Sequence, residues 1–154
     1  MKKLFIILLL LTTPAKADDF KNVEYLGNYD GDSITVNLPC DIPLFCDKAK
    51  IRVYSIDTAE KRTKDRCEKK VALEATEYVR KRLSNAKKID LKGCIKGKYF
   101  RAVCSVWVDG KNLKYELLKR GYGYSYFGKT KKDIDWCDFK GTPTTPQYYN
   151  FMKK

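Results

Sequence analysis

The chain has 154 residues, 44% hydrophobic and 33% charged, with a formal net charge of +13. That length suits one compact domain rather than two, and the apolar share can build a core that does not depend on cross-links. The basic excess favours a polyanionic partner (nucleic acid, anionic lipid or a cell-wall polymer).

Lys2 and Lys3 precede an apolar run over residues 4–11, and Ala15-Lys16-Ala17 follows as a small-x-small site. This is the pattern of a secretory signal over residues 1–17, cleaved near Ala17/Asp18, for a secreted or periplasmic protein. The run is too short to span a bilayer, which takes about 20 residues, and no stable membrane insertion is expected. Removing Lys2, Lys3 and Lys16, with no acid among those residues, lowers the charge from +13 to +10.

Residues 23–26 and 33–38 read as strands, the second alternating Ile34, Val36 and Leu38 on one face. Between them Asn28-Tyr29-Asp30-Gly31-Asp32 is a turn signal. Residues 51–56 form a third strand, with Ile51, Val53 and Ser55 on one face and Arg52, Tyr54 and Ile56 on the other. Residues 61–70 read as a charged loop. Residues 71–86 make the best helix, with Val71, Ala75, Tyr78, Val79, Arg82 and Leu83 at helical spacing. Strands follow over residues 89–91 and 101–108, the latter ending in an Asp109-Gly110 turn. Asn112 can cap a short helix carrying Leu113, Leu117 and Leu118, stopped by Gly121. Five short strands with two to three helices suit an α+β chain built on a small OB-type barrel, over residues 18–140. Residues 141–154, rich in Thr and Pro, are expected to be an extended or mobile tail.

All six cysteines, Cys40, Cys46, Cys67, Cys94, Cys104 and Cys137, lie beyond the signal. Export makes an even count read as three disulfides. A zinc site is disfavoured, because the chain has no histidine and no cysteine pair at the gap of a zinc knuckle. The expected pairs are Cys40–Cys46, Cys94–Cys104 and Cys67–Cys137.

Asp30-Gly31-Asp32 is a turn first, although a turn at a barrel rim can offer carboxylates to a hard cation. Arg52 shares its strand face with Tyr54 and Ile56, so an anion or acid must meet it. Glu74 or Glu77 could do so in a purely structural ion pair, and Arg101 could be an ordinary solvated arginine. Together, though, these residues match phosphodiester hydrolysis. Guanidinium forks meet phosphate charge, a cation polarises the phosphate, and a carboxylate handles the attacking water. The lack of histidine excludes nucleases and ribonucleases that rely on one.

The string RVYSIDTAE at residues 52–60 resembles the staphylococcal nuclease hallmark, an arginine on a strand followed by Asp-Thr-Pro-Glu. DGDS at 30–33 resembles that family's DGDT, and KYFRAVCSVWVDGK at 98–111 resembles its YGR-strand-DG segment. The resemblance runs over residues 25–123 and implies an OB barrel with Ca²⁺ at its rim. It implies Asp32 and Asp57 as carboxylate ligands, Thr58 as a carbonyl ligand and Glu60 acting on water. Arg52 and Arg101 would grip the phosphate, with Lys98 and Tyr99 lining the nucleotide site. Substrates would be DNA and RNA, cut by a monomer to leave 3′-phosphate and 5′-hydroxyl ends.

Three departures stand out. Ala59 replaces the proline, Cys40 and Cys46 sit in an insertion, and the final helix has no clear counterpart. Tyr122, Tyr124 and Tyr126 could stack bases or close the barrel end. Two other functions compete: a nucleic-acid-binding OB module without catalysis, and a disulfide-rich toxin or adhesin. All five expected side chains, Asp32, Arg52, Asp57, Glu60 and Arg101, are present, and the best helix carries acids among its bases, so the nuclease leads.

Overall fold

The computed structural model describes residues 18–141. The signal and almost all of the tail expected from the sequence therefore lie outside the described residues. Within them run β1 (Asp18–Phe20), β2 (Glu24–Asn28), β3 (Ser33–Asn37), α1 (Pro43–Cys46), β4 (Ala49–Val53) and β5 (Ile56–Thr58). Then come α2 (Arg66–Ser84), β6 (Ile89–Lys96), β7 (Ala102–Val108), β8 (Lys111–Asn112), α3 (Leu113–Lys119) and β9 (Gly123–Ser125). No helix among the described residues is long and apolar enough to cross a membrane.

The main sheet is mixed, in the order β1-β6-β7-β4-β3-β2, with β8 on β7. Its end strands, β1 and β2, are consecutive in the chain, so the sheet curls back into a half-barrel. With three helices this is the expected α+β, OB-like architecture. Period-two alternation explains the curl's filled interior. Ile34 and Val36 of β3, Ile51 and Val53 of β4, and Cys104, Val106 and Val108 of β7 all point into one core. Each fully buried Val or Ile contributes about 1.5–3 kcal/mol. Leu113, Leu117 and Leu118 of α3 close the same core, and Asn112 caps that helix by accepting the Lys114 N–H at 3.0 Å.

The short elements β1, α1, β8 and β9 were not anticipated and β6 runs on to Lys96 rather than ending at residue 91, but two other departures bear on the site. Helix α2 begins five residues early, at Arg66, because Asp65 accepts the Glu68 N–H at 2.8 Å and caps it. Half of the charged loop is therefore the helix's first turns. Ala72, Ala75, Val79 and Leu83 form its buried stripe.

The third strand is also not continuous. Ser55 takes a left-handed φ of 55°, which ends β4 at Val53 and starts β5 at Ile56, paired with β9 in a separate two-stranded sheet. Ile56 therefore leaves the face of Arg52 and Tyr54 and enters the core. The break is pinned from α3, where the Lys114 ammonium donates to Ser55 Oγ at 2.6 Å.

Burial lowers Lys114 to about 8 from its ordinary 10.5. Below that value the folded protein carries the full cost of the buried charge. Between about 8 and 10.5 the unfolded chain holds more protons than the folded one, so stability rises with pH. Over that window wild type should gain roughly 3 kcal/mol relative to Lys114→Met, at 1.36 kcal/mol per pKa unit. Urea unfolding at pH 7 and pH 10.5 checks it, and parallel pH curves would refute it.

All six cysteines are bonded in the expected pairs. Cys94–Cys104 links β6 to β7, and Cys40–Cys46 closes the loop bearing α1. Cys67–Cys137 ties the segment after β9 to the first turn of α2. Its partners are 70 residues apart, for which loop-closure entropy gives about 4 kcal/mol.

Candidate active site

Three local features converge on one rim of the half-barrel. The first is the turn before β3. A Cβ on Gly31 would stand 3.0 Å from Thr58 Cγ2 and 3.1 Å from Ala75 Cβ, so glycine lets the turn press against β5 and α2. Asn28 Nδ2 ties the turn to the helix by donating to Asp30 O at 2.9 Å and Thr76 O at 3.0 Å. The second is antiparallel register, which sets Ser33 opposite Arg52 and so places Asp32 beside it. The third is the Ser55 break, which turns Asp57 back toward Arg52. Gly123 serves the same end, since a Cβ there would lie 2.6 Å from Asp57 O.

The result is a guanidinium held between two buried carboxylates. Arg52 Nη1 donates to Asp32 Oδ1 at 2.5 Å, and Nη2 donates to Asp57 Oδ1 at 2.6 Å. The expected alternative partners, Glu74 and Glu77, are not used; Glu77 pairs with Arg80 and Lys81 instead. Asp32 is 1% exposed and Asp57 3%. Asp32 Oδ2 also accepts the Thr58 N–H at 2.9 Å, and Asp57 Oδ2 accepts the Tyr124 hydroxyl at 2.9 Å. Burial pushes Asp32 up to about 7, against the pull of Arg52. Burial and the bond to Asp57 push Tyr124 up to about 12.

Glu60 is exposed and joins the cluster through Lys131. That ammonium stands 3.0 Å from Glu60 Oε1 and 3.1 Å from Asp57 Oδ2. Burial alone would lower Lys131, but the bonds to Glu60 and Asp57 outweigh it and raise the group. Lys131 and Tyr124 were not assigned from sequence. Tyr124 lies in the alternating GYGYSY run, where stacking and closure looked equally good. Its burial against Ala59, Ala72 and Trp136 decides for closure, with Tyr126 packed on the same cluster and Tyr122 on the main core. Lys131 sits among Lys129 and Lys132 and has no distinguishing signal.

Lys98, Tyr99 and Arg101 lie at the β6–β7 hairpin, apart from this cluster. The Arg101 guanidinium stands 6.0 Å from the Tyr99 ring centre, and no hydrogen bond or ion pair joins the three to Asp32, Arg52 or Asp57 among the described residues. Ala102 pairs with Ile51 and Val103 with Arg52, so Arg101, the residue just before β7, stands one strand away from the Arg52 strand. The missing helix leaves its mark here: residues 126–141 form an irregular strap, held by Trp136 and the Cys67–Cys137 bond.

The oxygens fit a hard cation in kind. Asp32 Oδ2 and Asp57 Oδ1 each accept a single hydrogen bond and keep a lone pair free. No third carboxylate, histidine or thiol completes a group with them among the described residues, so the Thr58 carbonyl and water would have to supply the rest.

No curated protein matches the chain. A family model described as staphylococcal nuclease homologue matches residues 50–137, from β4 through the strap. The match takes in Arg52, Asp57, Thr58, Glu60 and Arg101, while Asp32 precedes it and reaches the cluster through strand register alone. With more than half of its length matched, and an OB-like half-barrel to carry it, the chain belongs to the family of staphylococcal nuclease homologues.

Proposed function

We propose that the protein is an exported, Ca²⁺-dependent nuclease that hydrolyses phosphodiester bonds of DNA and RNA, leaving 3′-phosphate and 5′-hydroxyl ends. Membership of the family gives nuclease-type function in general. The observation that carries the finer reading is the single guanidinium between two buried carboxylates, with a third carboxylate linked through Lys131.

Charge supports a cation. With all three carboxylates ionised, Asp32, Asp57 and Glu60 against Arg52 and Lys131 leave a formal −1, which repels phosphate; a divalent ion reverses the sign and favours the ionised form of Asp32. Bound between Asp32, Asp57 and the Thr58 carbonyl, Ca²⁺ would polarise the phosphate and acidify water. Relieved of part of its pairing, the Arg52 fork can take two phosphate oxygens whose charge grows in the transition state. Glu60, exposed and without a buried partner, is free to orient or deprotonate the attacking water. Arg101 would serve the leaving oxygen from just before β7, and Lys98 and Tyr99 the nucleotide. Three disulfides are consistent with an extracellular site of action.

A binding module without catalysis is the second reading, favoured by Arg52 and Lys131 already being engaged by carboxylates. The test uses residues 18–154 with native disulfides, incubated with plasmid and with RNA. Digestion in Ca²⁺ that stops on chelation is expected. Binding in Ca²⁺ that leaves the nucleic acid uncut would establish the module instead.

A further inference from the structure

The outer face of β2–β4 carries a groove that the catalytic reading does not use. Strand β4 points Ile51 and Val53 inward, and so turns Lys50 and Arg52 outward on one face. Across the ladder Ser33 pairs with Arg52 and Thr35 with Lys50. Lys50 therefore continues the line of Arg52 one strand repeat away, about 6.6–6.8 Å, the scale of one nucleotide step in an extended chain. Alongside lies a groove of about 330 Å³, lined by Leu26, Tyr29, Thr35, Lys48 and Lys50 among others.

Its chemistry is one-sided. No carboxylate lines the groove. Lys50 donates only to a neutral hydroxyl, Thr35 Oγ1 at 2.9 Å. Tyr29 is 52% exposed, and Lys61 and Arg62 stand 4.2 and 5.8 Å from its ring centre. None of the cations Lys48, Lys50, Lys61 and Arg62 forms an ion pair among the described residues. The bond from Tyr29 N to Ser33 O, 2.9 Å, fixes the ring's backbone beside the Asp32 turn, and the Thr35–Lys50 pair of the groove's lining is the next pair on that face of the ladder after Ser33–Arg52.

We propose that this groove is a subsite for single-stranded nucleic acid flanking the scissile phosphate. Lys50 and Lys48 take successive phosphates, and an unpaired base stacks at Tyr29 against the Leu26 edge, with Lys61 and Arg62 meeting the neighbouring phosphates. Aromatic stacking beside a cationic track suits unpaired strands, because duplex bases have no free face. The assignment rests on the nuclease reading for its direction, but its test does not require cleavage.

Binding of a fluorescein-labelled oligothymidylate would be followed by anisotropy over a range of salt, with chelator present. Lys48→Ala/Lys50→Ala should bind about tenfold more weakly and flatten the salt slope by about 1.4, at roughly 0.7 for each phosphate no longer neutralised. Lys87→Ala/Lys119→Ala, an equal charge change outside the groove, should cost far less. Tyr29→Ala should weaken the single strand about tenfold and leave duplex binding alone. Equal losses in the two lysine pairs, or equal losses on single strand and duplex in Tyr29→Ala, would overturn the subsite. Failure of the wild type to cleave in Ca²⁺ would bear on the nuclease reading only.

Discussion

Arg52→Ala should lose about 3–5 kcal/mol of stability, the usual cost of leaving a buried charge without its partner. Both carboxylates that Arg52 bridges are nearly inaccessible. The Thr58 N–H, the Tyr124 hydroxyl and Lys131 compensate them only in part. The loss should shrink as pH falls through about 7, because a protonated Asp32 no longer needs a cation. Arg52→Ala/Asp32→Asn should recover part of it at neutral pH. Urea midpoints across pH measure this directly, and a midpoint like that of wild type would mean the triad is not formed in solution. On the nuclease reading, cleavage should fall by more than the roughly 10²–10³ typical of one lost transition-state donor, since the same change disturbs both carboxylates. Arg52→Lys keeps the charge but not the fork and should recover stability better than rate.

Glu60→Gln should have the opposite profile. Glu60 is exposed, so stability should stay within about 0.5 kcal/mol of wild type. Loss of a group that handles the attacking water should cost about 10²–10⁴ in rate. Lys131→Met is its companion. Without the ammonium, Asp57 and Glu60 lose a competitor for a divalent ion, and calorimetry should find Ca²⁺ bound about tenfold more tightly, roughly 1.4 kcal/mol. Glu60→Gln at wild-type rate would remove Glu60 from the mechanism. Unchanged Ca²⁺ affinity in Lys131→Met would mean that the ammonium leaves the carboxylates freely.

Much of the scaffold was legible because it rests on local rules. Period-two alternation marked Ile34, Val36, Ile51 and Val53 as inward-facing. Asn112 and Gly121 bounded α3 through cap chemistry that depends only on nearby residues. Helix α2 was mis-started for a related reason: its cap, Asp65, is embedded in a run of charges with no apolar stripe until Val71. The Ser55 break was hidden because nothing in composition marks a serine for φ of 55°; Lys114, far along the chain, holds it there.

The sequence by itself determined the parts: the alternation that makes the half-barrel, the even set of six cysteines, and the acids and arginines of the hallmark segment. It could also place Arg52 on an outward face, since that follows from a strand's own period. Only the tertiary structure decided which of those parts meet. Asp32 joins Arg52 through β3–β4 register, Asp57 returns because the strand breaks, Tyr124 is spent on closure, and Lys131 arrives on a strap tied by Cys67–Cys137. Glu74 and Glu77 were equally good candidates for Arg52 on paper. Ion pairs form between whatever groups packing brings within a few ångströms, and that distance is set by residues far apart along the chain, where sequence pattern carries no signal.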